Sequence, residues 1–165
     1  WLLSQQLEGV WHTSIVVHNR EHWYDGQIRE SDRAETPFGQ PELIVELPGL
    51  TTCTRADLSR FISGQLIKFK RETFDVVTQN CHHFCDAISV FLLNKHIPDD
   101  LLKQPETILS SSPAQDLHWL QPLLNQLAEG GMNGTSQLPG LNKLTAAVYI
   151  ACKNILDAAA RSSRK

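Results

Sequence analysis

No apolar run in this sequence approaches the roughly 18 residues that a bilayer-spanning helix needs, the best stretch being residues 144–152. A chain without a membrane span is predicted. Basic charge is also scarce, with 15 Lys and Arg against 18 Asp and Glu and a formal net charge of -3. Only residues 161–165 gather cations, so there is no stripe to neutralise phosphates, and nucleic acid is excluded as a partner. Cysteine is limited to Cys53, Cys81, Cys85 and Cys152. A chain this long builds a core without disulfide staples, which predicts a reducing, cytoplasmic and/or nuclear setting. Methionine occurs once, at Met132, and the sequence opens on Trp1, so the natural amino terminus is expected to be missing or processed. Glycine-rich phosphate loops and a GxSxG nucleophile elbow are absent, which removes two common enzyme classes.

What is present suffices for one folded domain: 165 residues, 41% hydrophobic and 20% charged. Residues 11–18 are rich in β-branched and aromatic side chains and read as a strand, with Trp11, Thr13, Ile15 and Val17 on one face and His12, Ser14, Val16 and His18 on the other. Asn19-Arg20 then turns the chain into a hairpin partner over 21–24, closed by Asp25-Gly26. Residues 31–41 read as an exposed loop and 43–47 as a short strand closed by Pro48-Gly49. Thr54 and Asp57 form a capping-box pattern ahead of Leu58, Phe61, Ile62 and Leu66, a helix expected to end near Lys68. Residues 74–78 suit a buried strand. Phe84, Ile88, Phe91 and Leu92 mark a helix capped by Asn80. Leu117, Leu120, Leu124 and Leu127 define another, residues 129–140 a flexible linker, and Leu141, Leu144, Val148, Cys152, Ile155 and Ala159 the apolar side of a final amphipathic helix with a basic tail, 141–165.

The chemistry concentrates at residues 76–84, where a predicted strand turns directly into a helix with Cys81 at its first position. Free backbone N–H groups and the positive helix end stabilise a thiolate there and can receive an oxyanion. A base is then needed, and His12, held on a strand, can place an imidazole against the sulfur. His18 and His22 read as solvent-facing hairpin residues; Cys53, Cys85 and Cys152 read as packing residues. Cys81, His82, His83 and Cys85 bring four candidate metal ligands into five residues. Their directions on a helix diverge and no second pair completes a tetrahedron, so no metal or other cofactor is expected.

The segment Leu7-Glu8-Gly9-Val10-Trp11-His12-Thr13-Ser14 resembles the histidine motif of the PPPDE family, the deSUMOylating isopeptidases, and Asn80-Cys81-His82-His83-Phe84 resembles its cysteine motif, with His82 where asparagine is usual. Trp23-Tyr24-Asp25-Gly26 and the stretch from Ile97-Pro98 to about residue 127 extend the similarity. The resemblance implies an α+β, papain-like, circularly permuted cysteine peptidase fold over residues 1–128, with a small antiparallel sheet packed against helices. It implies Cys81 as nucleophile and His12 as general base and acid, with Asn80 and Trp11 as candidate oxyanion or substrate-binding residues. The implied activity is removal of SUMO, or ubiquitin, from target lysines through a thioester. A protein S-acyl thioesterase and a non-catalytic modifier-binding module on the same fold are the alternatives. The family places a further strand ahead of the histidine motif, so a bare sheet edge is expected here, with self-association through it.

Overall fold

Residues 12–32 form an antiparallel meander of β1 (His12–Val17), β2 (Arg20–Tyr24) and β3 (Ile28–Asp32). The computed structural model describes residues 11–38, 40–111 and 147–154. Val17 pairs with Arg20 across a two-residue loop. His18 and Asn19 both take positive φ, 52° and 59°, the backbone that matches the twist of a tight hairpin. At the next turn Gly26 adopts φ 94°, and Asp25 Oδ1 accepts from the Gln27 N–H. β3 runs on to Asp32, into the segment expected to be loop, because Arg20 on β2 ion-pairs with both Glu30 and Asp32.

β4 (Leu43–Thr51) continues past Pro48-Gly49 through a register shift between Glu46 and Leu50. The five-stranded sheet has the order β3-β2-β1-β5-β4. β5 is Ala147–Asn154, and it runs parallel to both β1 and β4. Residues 147–154 are therefore a strand rather than part of the expected helix. A continuous apolar run such as Ala-Val-Tyr-Ile-Ala-Cys fits a buried parallel strand as well as a helix face, and its β-branched and aromatic content favours the strand. The rest of the predicted terminal helix, the linker at 129–140 and the leucine helix at 117–127 lie outside the described residues.

α1 (Arg55–Gln65) starts at Thr54, whose hydroxyl accepts from the Asp57 N–H while Asp57 reaches back to the Thr54 N–H, the capping box read from sequence. α2 (Cys81–Leu93) starts at Asn80 and ends on Asn94 in the left-handed conformation, φ 52°. It packs on β1, β2 and β4. Its buried face, Phe84, Cys85, Ile88 and Leu92, meets Ile15, Val17, Tyr24 and Leu47 of the sheet, with Leu58 from α1 and Phe69 completing the core. Tyr24 and Phe84 both lean on Phe69, with centroids 5.2 and 5.3 Å away. α3 (Asp99–Leu102) and α4 (Gln104–Ser111) follow.

Residues 74–78 are a turn, contrary to the expected strand. The Asp75 carboxylate accepts from the N–H of Val77 at 2.9 Å and Thr78 at 2.6 Å, and Asp75 and Gln79 bridge across it. A side chain that satisfies the local backbone this way removes the donors a ladder would need.

Candidate active site

Two dipeptides meet where β1 packs on α2: His12-Thr13, which open the strand, and Cys81-His82, which open the helix. All four are buried; Thr13 and His82 are completely so. The Thr13 hydroxyl lies 3.2 Å from Nδ1 of His82. The Thr13 hydroxyl and backbone N–H and the amides of Cys81 and His82 all act to favour the Cys81 thiolate. Strand alternation sends Thr13 toward α2 and His12 toward the opposite side. There the loop after β3 folds back, held by the Ala34 N–H on Glu21 Oε2 at 2.9 Å while Glu21 Oε1 accepts from Ser14 at 2.6 Å. It brings Phe38 onto the His12 ring, with centroids 3.5 Å apart and planes inclined by 21°. Nε2 of His12 is buried with no hydrogen-bond partner among the described residues.

Asn80 does not offer its amide to a substrate. Its Oδ1 accepts from the N–H of His82 at 2.9 Å and of His83 at 3.4 Å, and its Nδ2 donates to Val76 O at 2.6 Å, so both ends are committed to starting the helix. Trp11 is half-buried against the core, and its backbone N–H donates to Gln104 Oε1 at 2.9 Å. The Asn80 side chain and the Trp11 backbone N–H are therefore already engaged in this arrangement. The expectation of a depressed thiol pKa is also corrected: burial pushes Cys81 above its ordinary value, outweighing the donors supplied by Thr13, His82 and its own amide. Burial lowers His12 to about 3, with nearby His82 adding to the effect. It lowers His82 to about 3 as well, with the charge of His83 adding and Gln104 opposing. Thiol and imidazoles are therefore neutral at rest.

The PPPDE putative peptidase domain matches residues 1–118 of this chain. The chain belongs to the PPPDE family. Desumoylating isopeptidase 1 of Homo sapiens is 32% identical over 138 residues, covering 82% of this chain and 79% of the relative. Its Xenopus laevis counterpart is 32% identical over 128 residues, covering 76% and 73%. The match to the PPPDE domain spans both β1 and the start of α2, so the two motifs that carried the resemblance fall within it.

Of the other histidines and cysteines weighed as candidates, His22, Cys85 and Cys53 fall elsewhere in the matched residues. His22 is buried rather than solvent-facing, and burial takes it to about 4 despite Glu30 nearby. Cys85 is a core residue and Cys53 packs at its edge. Among the described residues no three of His, Cys, Asp and Glu gather to hold a metal ion. Two residues of the site, Thr13 and Gln104, did not stand out in the sequence. Thr13 was visible only as an inward residue of an alternating strand, and Gln104 carries no local pattern, because its role comes from contacts 93 residues away in sequence.

Proposed function

We propose that this PPPDE chain is a cysteine isopeptidase that removes a ubiquitin-like modifier, SUMO in preference to ubiquitin, from target lysines, with Cys81 as nucleophile and His12 as general base and acid. The observation that carries the reading is the packing of the start of β1, which carries His12, against the start of α2, which carries Cys81, with Thr13 meeting His82 between them. When the cover on His12 is displaced and its ring turns toward the helix start, Cys81 Sγ attacks the isopeptide carbonyl as its proton passes to His12, a neutral imidazole whose Nε2 has no partner among the described residues. Asn80 already holds the amides of His82 and His83, leaving the Cys81 N–H as the helix-start donor for the oxyanion. His12 then protonates the departing lysine amine. Water, activated by the same imidazole, cleaves the thioester and restores the thiol.

A buried, uncharged resting pair fits an enzyme that completes its active geometry only when a modifier tail displaces the cover on His12. The proposal includes a papain-like fold in permuted order, supported by a histidine strand that precedes the cysteine helix, and a cytoplasmic or nuclear location where such conjugates occur. Two relatives that are 32% identical carry the name desumoylating isopeptidase 1, which favours SUMO. The test is cleavage of SUMO-linked and ubiquitin-linked isopeptide substrates, with an S-acyl thioester alongside. SUMO release that disappears in Cys81→Ala is expected. Turnover of the acyl substrate alone, or undiminished cleavage by Cys81→Ala, overturns the reading.

A further inference from the structure

We infer that Phe38 is a displaceable plug: in the resting molecule it is seated over His12, in the place that the extended tail of a modifier takes during turnover. Its effect on turnover rests on the proposed function, whereas the contact itself does not. The Phe38 ring lies nearly parallel to the His12 imidazole, with centroids 3.5 Å apart and planes inclined by 21°, and it meets Trp23 edge to face at 6.4 Å and 90°. The register explains why these two rings lie under it. Val16 pairs with Glu21, so His12 and Ser14 of β1 share with Glu21 and Trp23 of β2 the face of the sheet turned away from α2. All four are buried, and residues 33–38 fold back over them.

This strap is pinned at its root and held at its tip by ring contacts alone. At the root, Glu21 accepts from the Ala34 N–H at 2.9 Å and from Ser14 at 2.6 Å, the Glu35 N–H donates to Asp32 O at 3.2 Å, and Ala34 takes the left-handed backbone, φ 68°. Beyond Glu35, no hydrogen bond within the described residues holds 36–38: the Thr36 hydroxyl is buried without a partner, and Pro37 has no N–H to give. Phe38 itself is half-buried, unlike the core rings of Tyr24, Phe69 and Phe84 at 0–1% exposure. The seat is also polar where the plug is not. Nε2 of His12 and Nε1 of Trp23, one on each ring that Phe38 touches, are buried without a hydrogen-bond partner among the described residues. An indole N–H only donates and is costly to leave unmade. A phenyl ring offers neither lone pair nor N–H, whereas the carbonyl and amide groups of an extended peptide main chain offer both.

The test is carbethoxylation of the full chain by diethyl pyrocarbonate, which acylates unprotonated imidazole, with each histidine mapped by mass spectrometry. In the unsubstituted protein His12 should react far more slowly than His96, whose side chain is 72% exposed. Phe38→Ala should speed His12 by about tenfold, at the scale of losing an aromatic stack. Phe38→Tyr, which keeps the ring, should stay within about twofold of the unsubstituted rate. His82, completely buried on the α2 side of the sheet, reports general unfolding and should stay unreactive throughout. An unchanged His12 rate in Phe38→Ala, or a His82 rate that rises in step with it, overturns the inference. The second readout is kcat/KM on a SUMO-linked isopeptide, which should rise by about threefold or more in Phe38→Ala. A fall would mean that the ring holds substrate or imidazole in place, and overturns the plug. If neither protein cleaves the conjugate, the proposed function fails, while the carbethoxylation rates still decide whether Phe38 covers His12.

Discussion

The two main helices begin by the same device in opposite surroundings. At α1, Thr54 and Asp57 cap each other in the open, with Arg60 alongside, and hydrogen bonds from Thr54 hold the Asp57 carboxyl below its usual range. At α2, Asn80 and His83 make the corresponding reciprocal contacts, but the first residues are buried and no formal charge sits among them. The helix-start field is present at both ends. Where water remains, it appears as a stabilised anion; where burial removes water, the cost of charging Cys81 exceeds the field and the thiol stays protonated. A cysteine at a helix start is thus not by itself an activated cysteine, and under the proposed function activation at α2 comes with the substrate.

The sharpest way to break this contrast is chemical. Cys81→Ala should abolish isopeptide cleavage, while Thr54→Ala, at the other helix start, should leave it within about twofold, as expected of a change far from the reacting groups. Steady-state kinetics on both variants decide it. His12→Ala should cost about a thousandfold in kcat, at the scale of removing a general base, and a loss under tenfold would assign the proton transfer to another group.

Acid should separate the two helix starts next. A buried histidine with a lowered folded pKa binds its proton in the unfolded chain first, so its contribution to stability is complete above the unfolded value near 6.5 and is lost as pH falls toward the folded value of about 3. His12 and His82 should each remove about 1.4 kcal/mol per pH unit across that window. Asp57, whose folded pKa is depressed, stabilises above its unfolded pKa of about 4, and that contribution fades only below it. Thermal melts should therefore decline from pH 6.5 downward, and His82→Asn should flatten the decline. A melting temperature that is level to pH 4.5 contradicts the buried, neutral site.

The smallest expected effects are on stability alone. Asn80→Ala should cost about 1–2 kcal/mol, since it removes a cap and a buried amide bridge to Val76, and Thr54→Ala about 0.5–1 kcal/mol at the exposed end. Equal costs in denaturant titrations would mean that burial adds nothing to the α2 cap.

What could be read in advance divides along physical lines. The start of α2 at Asn80 and the capping box at Thr54 were legible because each is local, with a signature within a few positions; the β1–β2 hairpin was legible too, but its turn falls at His18-Asn19, one residue before the expected Asn19-Arg20, with Arg20 already pairing in β2. Residues 74–78 misled because the β propensity of Val76-Val77-Thr78 is weaker than the pull of the Asp75 carboxylate on the backbone N–H groups. Residues 147–154 misled because three-and-four spacing in a short apolar run does not separate a helix from a parallel strand, and their partners β1 and β4 are remote in sequence. At the site, Cys81 and His12 stood out by chemistry and motif, whereas Thr13 and Gln104 acquire meaning only through contacts that the fold creates.

The central claim is that Cys81 is the nucleophile for a modifier carbonyl, and a SUMO protein carrying a thiol-reactive group at its carboxyl terminus tests it most directly. Intact mass and peptide mapping should find one adduct on Cys81, absent from Cys81→Ala and slowed in His12→Ala. No adduct, or an adduct on Cys53 or Cys85 instead, contradicts the account.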